Sequence, residues 1–476
     1  MTAAERGSVI LIIILVWFGV GLVQIRSGDV TLIPVYMGFS CYLIVLALPF
    51  VMRDFRPGIF HPLVFFVLWS GVKGLLTGQA ALAATGLETH SSPLIRDIEL
   101  NSVLAEYFLL ETVALLALYA GYGFAPRFHL PVLKQKITVG VEWKSVFWIG
   151  IAGVGVIMML RHAGSLEMLL FQRGVASTDR IASNIGGHWV WLAGIGTIVP
   201  LFWLACDATA YKRPLFWAVL ASAMAFKFLT TGSRSGTVLV LIFVILVWSL
   251  RNRRISYLSI ILGALSVLAL VGILGEFRAA TQQSRVKVLD EIALRGGIAE
   301  WANSSIQEMG SRHGQNSGEL AILAVVPEKV SHIWGQSYMS MPFALIPSAL
   351  VENKPRAGGK LVSDLIFNRP LTGIPPGAVG EAFWNFSYLG VVAVFAAYGA
   401  FLKLVAKIYL KNSSNPLILT GFLLVLVQLE PQSIKFFDFI QQIVPLVAIY
   451  LFANYRLSAA KPSRFQVARP SSVDNT

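Results

Sequence analysis

The sequence predicts an all-α, polytopic membrane protein with about twelve transmembrane helices. Three observations predict it. Of the 476 residues, 56% are hydrophobic and only 13% are charged. Apolar runs near the roughly 20 residues that a helix needs to cross a bilayer recur along the chain. Lys and Arg gather in alternate connections between those runs, the pattern of a single fixed orientation. A β-barrel would show short segments of alternating polarity instead.

The apolar spans begin near Ser8, Thr31, His61, Ser102, Lys144, His188, Pro214, Thr237, Ser256, Val379, Pro416 and Phe439. The first follows Arg6 in the manner of a signal peptide but lacks a small-residue cleavage site, so it reads as a retained helix. The third and seventh are short. Arg53 and Arg56 follow span two, and Arg127, Lys134, Lys136 and Lys144 precede span five. Lys212 and Arg213 follow span six; Arg251, Arg253 and Arg254 follow span eight. Lys403, Lys407 and Lys411 end span ten, and Arg456, Lys461, Arg464 and Arg469 lie in the tail. All fall on one face, which the positive-inside rule assigns to the cytoplasm, with both termini inside.

The chain then divides into residues 1–275 with spans one to nine, a large external loop at 276–378, residues 379–457 with spans ten to twelve, and a polar tail at 458–476 whose composition predicts disorder. A loop this long exceeds any ordinary connector and marks where function is expected. No internal repeat is evident.

The net charge of +13 is read as orientation charge, so no nucleic-acid partner is expected. Cys41 and Cys206 both fall in apolar spans and read as small core residues rather than a disulfide. The sequence contains no CxxC, HExxH or phosphate-binding P-loop motif, and no metal or cofactor is expected.

Ionisable residues inside spans are costly and often functional. Here they are Lys73, Glu106, Glu111 and Lys227, all in the outer half. An ion pair between Lys73 and Glu111 is expected, either to fix helix packing or to serve a site. Lys227 leads into Thr230-Thr231-Gly232-Ser233-Arg234-Ser235-Gly236. That turn reads either as an anion-binding cup or as a tight hairpin with a snorkelling arginine.

The long loop is basic, with Arg278, Arg285, Arg295, Arg312, Arg356 and Arg369 among its cations. An anionic ligand at the outer leaflet would account for them, since the guanidinium fork matches phosphate. Val286, Leu289, Ile292 and Ala293 fall at helical spacing. Ser304 with Gln307, and Asn316 with Glu319, have capping-box spacing. Short amphipathic helices on the membrane surface are therefore expected. Glu276, Arg278, Arg312, His313, Glu319, Asp364 and Glu381 are the groups with chemistry to offer. His313 reads as a surface residue or a base, and Glu381 as a helix-terminus stabiliser or a base.

Several of these motifs together carry a resemblance. TGSRSG at 231–236 precedes an apolar span, and Glu276 and Arg278 follow another. Gly335-Gln336-Ser337-Tyr338, Ile346-Pro347, Lys354-Pro355 and PPGAVGEAFWNFSYLG at 375–390 come next. In this order, over about 226–399, the sequence resembles the Wzy-type O-antigen and exopolysaccharide repeat-unit polymerases. Ser387 departs from the pattern, because a glycine commonly follows the Asn-aromatic pair.

The resemblance implies a GT-C-like bundle in the bacterial inner membrane. It also implies transfer of a growing glycan from undecaprenyl pyrophosphate to another lipid-linked repeat unit at the periplasmic face. It carries no cofactor or metal. Its partners would be the lipid-linked donor and acceptor, the bilayer, and a chain-length regulator and flippase of the same pathway. On this reading Arg234, Arg278, Arg312 and Arg356 hold the pyrophosphate. Glu381 is the preferred base, with His313 and Glu276 the other catalytic candidates. The alternatives are an O-antigen ligase-like transferase, a lipid-linked oligosaccharide flippase or other transporter, and a non-catalytic scaffold.

Overall fold

The computed structural model describes residues 3–52, 60–82, 94–95, 99–126, 140–163, 187–231, 234–252, 317–344, 346, 351, 354–368 and 373–454. Those residues form an all-helical membrane protein with no strand among them. Within them, seven helices are long and apolar enough to cross a membrane, and four shorter apolar helices accompany them.

In chain order these are α1 (Ala3–Ser27), α2 (Ile33–Met52), α3 (Pro62–Leu82), α4 (Leu100–Phe124) and α5 (Val141–Ala163). Then come α6 (Gly187–Gly194), α7 (Val199–Cys206), α8 (Pro214–Thr231) and α9 (Arg234–Asn252). The loop region contributes α10 (Ser317–Val325) and α11 (Gly358–Leu365). The chain then forms α12 (Ala378–Asn412), α13 (Pro416–Gln428) and α14 (Ser433–Asn454). A helix begins close to each expected span start except the last, which begins earlier, and the ninth, near Ser256, which lies outside the described residues.

One core joins α2, α3 and α4 with α10, α11 and the first half of α12. A second joins α7, α8 and α9 with the end of α12, α13 and α14. The spine is a parallel pair, α4 and α12. Gly121 lies against Ala396 and Gly399 against Leu118, so close that a methyl on either glycine would overlap the facing backbone carbonyl. Small residues permit such backbone approach between membrane helices.

Two spans are interrupted. Residues 187–206 are split by a 3-10 turn at Ile195–Thr197, with Pro200 in the first turn of α7, where a missing N–H costs nothing. In α12 the helix breaks at Phe386 and Ser387, with Ser387 at φ 59° and ψ −155°. That region of backbone space is essentially reserved for glycine. The serine therefore holds a backbone shape that glycine would adopt without strain.

Three expectations are corrected. Helix α10 of the long loop is not a surface helix: its Leu320, Ala321, Ile322, Leu323 and Val325 are buried in the first core. The last helix starts at Ser433 rather than near Phe439, which brings Lys435 and Asp438 into it. Cys41 is exposed on α2 and is not a core residue, because its side of that helix faces outward. The tail at 458–476 is outside the described residues.

Candidate functional site

The site grows from the start of α12. Pro375 and Pro376 carry no N–H and cannot extend a helix backwards, and Gly377 turns the chain at φ 70°. The first amides of α12 then lack intrahelical partners. Val379 N and Gly380 N donate to Glu319 Oε1 at 3.0 and 3.1 Å. Glu319 is fully buried, and its Oε2 pairs with Lys73 Nζ at 3.2 Å. A methyl at Gly377 would fall on the Glu319 carboxylate, and one at Gly380 would press on its side chain. The PPGAVG segment is therefore a cradle for a carboxylate, and Glu319 caps α12 rather than its own helix. The expected Lys73–Glu111 pair is corrected accordingly. Lys73 is bonded to Glu319, with Glu430 and Glu111 as further charges around it. Glu319 is favoured because it enters directly at the helix terminus, where the amides already attract negative charge.

Glu381, in the first turn of α12, does the same for α14. It is fully buried. Ser433 N donates to its Oε2 at 2.9 Å and Ser433 Oγ to its Oε1 at 2.5 Å. Gly358 N donates to Ser433 Oγ at 3.0 Å, and a methyl at Gly358 would lie 2.6 Å from Glu381 Oε1. One turn on, Asn385 Nδ2 donates to Ser337 Oγ and to Glu381 O, each at 2.7 Å. Ser337, held by that bond, lies near the Glu381 carboxylate. Two buried carboxylates thus close two helix N-termini at one end of the bundle.

The turn between α13 and α14 places a further, half-buried carboxylate nearby. Trp69 Nε1 donates to Glu430 Oε1 at 3.0 Å and Gln432 Nε2 to its Oε2 at 2.7 Å. Burial alone would raise this carboxyl's pKa, but Lys73 and Lys435 hold it below its ordinary value.

Two cavities open nearby. One of about 220 Å³ is lined by Ser340, Met341, Lys354, Ala357, Ser433 and Phe437, among others. Lys354 Nζ donates to Ile346 O at 2.8 Å and sits 5.8 Å from the Phe437 ring centroid. The other, about 650 Å³, runs between α2, α4 and Tyr388. It is lined by the polar Thr31, Glu99, Asn101, Ser102 and Glu106 and by the apolar Leu109, Leu110 and Val113, among others. Tyr388 Oη donates to Glu106 Oε1 at 2.9 Å.

Of the expected site residues, Glu381 is in this cluster. Arg356 is not: it is largely exposed, and its Nη1 donates to Asp364 Oδ2 at 2.8 Å. Arg234 opens α9, and its side chain is outside the description. Glu276, Arg278, Arg312 and His313 lie outside the described residues. Lys227 faces Asp438. Among the described residues no group of three His, Cys, Asp or Glu is placed to hold a metal ion.

Sequence reasoning missed Ser433 and Glu430, and Ser337 entered it only within the Gly335-Gln336-Ser337-Tyr338 motif. The available signal was the polar run Gln428-Leu429-Glu430-Pro431-Gln432-Ser433 just ahead of the last apolar stretch. No protein-family model, curated protein or solved structure matches the chain.

Proposed function

We propose that this chain is a membrane glycosyltransferase of the bacterial inner membrane, with about twelve spans and a GT-C-like bundle. Its reaction would be the polymerisation of undecaprenyl-pyrophosphate-linked repeat units at the periplasmic face. The observation that carries the reading is a buried carboxylate, Glu381, bonded to Ser433, which lines a cavity together with Lys354. A sugar pyrophosphate is already a good leaving group, so the protein must supply charge stabilisation and a base. Lys354 offers the first and Glu381 the second. Arg234, Arg278 and Arg312 are the further cations assigned to the pyrophosphate. Arg356 is a weaker member, since Asp364 already holds its guanidinium. The positive-inside pattern puts this end of the bundle outside and both termini in the cytoplasm.

The test is incubation of the purified protein with a defined lipid-linked repeat unit. A product ladder supports polymerisation. Glycan moved intact onto another acceptor would indicate a ligase. A second reading, transport, is favoured by the interrupted helices at 187–206 and 386–387, because broken helices mark transporter sites. Movement of labelled lipid across vesicles with no lengthening of glycan would establish it.

A further inference from the structure

In the proposed reaction Glu381 cannot meet an acceptor hydroxyl directly. It is fully buried, its Oε2 is taken by Ser433 N, and Gly358 closes against its Oε1. Ser433 does line the cavity. Its hydroxyl has one proton to give and two lone pairs to receive with. The proton goes to Glu381 Oε1 at 2.5 Å, and one lone pair accepts from Gly358 N at 3.0 Å. One lone pair remains, on the residue that joins the carboxylate to the cavity.

We infer that Ser433 is a catalytic residue, a proton relay through which Glu381 activates an acceptor hydroxyl bound in the cavity beside Lys354. This rests on the transferase reading. The acceptor O–H proton passes to Ser433 Oγ while the serine proton passes to Glu381 Oε1. The acceptor oxygen bonds to the anomeric carbon of the donor. The bond from that carbon to the pyrophosphate breaks, and its electron pair leaves with the lipid pyrophosphate. Glu381 returns its proton to solvent through Ser433 before the next turn. Ser433 is thereby regenerated with a new proton, and no other reactant is needed.

The experiment uses the full-length protein in lipid nanodiscs with a defined undecaprenyl-pyrophosphate repeat unit, reading kcat and KM. Ser433→Ala is expected to lose about 100-fold in kcat, the scale of general acid–base catalysis. KM should stay within about twofold, because the lost contact acts in the transition state. Ser433→Thr, which keeps a hydroxyl, should recover most of the loss. Ser433→Ala combined with Glu381→Gln should be no slower than either alone, since the two act as a unit. Ser433→Cys is the variant to read if alanine does not fold, and a lowered kcat is expected there too.

A Ser433→Ala or Ser433→Cys protein with wild-type kcat, beside an inactive Glu381→Gln, overturns the relay and leaves the base assignment standing. Equal losses in Ser433→Ala and Ser433→Thr overturn it as well, because position rather than the hydroxyl would then matter. Wild-type kcat in Glu381→Gln overturns the base assignment itself. A wild-type protein that makes no ladder overturns the transferase reading and the relay with it.

Discussion

Replacing Lys73 by Met should destabilise the protein through a residue far from it in sequence, Glu319. The Glu319 carboxylate is fully buried and the Lys73 side chain is 19% exposed, so water does little to screen the pair. Removing one partner of a buried ion pair typically costs about 3–5 kcal/mol, because the other charge stays buried without compensation. The two amide hydrogen bonds to Oε1 remain and moderate the loss. Glu430 and Glu111 lose the same cation and add to it. The expected value is therefore about 3 kcal/mol or more. Lys73→Met combined with Glu319→Gln removes both charges and keeps an oxygen for Val379 N and Gly380 N. That double variant should recover about 1–3 kcal/mol of the loss, which a double-mutant cycle reads as coupling. The assay is reversible unfolding in mixed micelles, followed by tryptophan fluorescence. Strict additivity, or a Lys73→Met protein within about 0.5 kcal/mol of wild type, would refute the capping argument.

Further outcomes follow from the same geometry. Ser387→Gly should stabilise the protein by about 1 kcal/mol, read as a rise in melting temperature, because glycine relieves the strained backbone at the α12 break. Gly399→Val should abolish folded, monodisperse protein in size-exclusion chromatography, since a side chain there overlaps the Leu118 carbonyl. Glu430 should give a pH signature. Its folded pKa lies below the ordinary 4.5, so its ionised form stabilises the fold above that pH, and the contribution fades as pH falls through the lowered value. Glu430→Gln should therefore lower the melting temperature at pH 7, with the gap to wild type closing below pH 4.5.

The helical membrane class was legible because crossing a bilayer demands long apolar runs, and these are visible without tertiary information. Helix α10 was misjudged for a physical reason. The apolar run at 320–326 looks the same whether it covers a membrane surface or fills a bundle, and packing decides between them. The glycines of PPGAVG were legible as a motif but not as a cradle, since their neighbour Glu319 comes from a separate helix. Glu381 stood out by its place at a helix start. Ser433 did not: the polar run at 428–433 marks the place but not the residue, and only the bond to Glu381 gives this serine its meaning. Lys73 was recognised as costly in the membrane, and its partner was misassigned because sequence order favours the adjacent span.

The central claim is tested most directly by supplying purified protein with a defined undecaprenyl-pyrophosphate-linked repeat unit and resolving the products by size. The account predicts a ladder of lengthened glycans from wild type, and only single repeat units from Glu381→Gln at equal folded protein. Failure of wild type to extend any of several donors, or an undiminished ladder from Glu381→Gln, would contradict it.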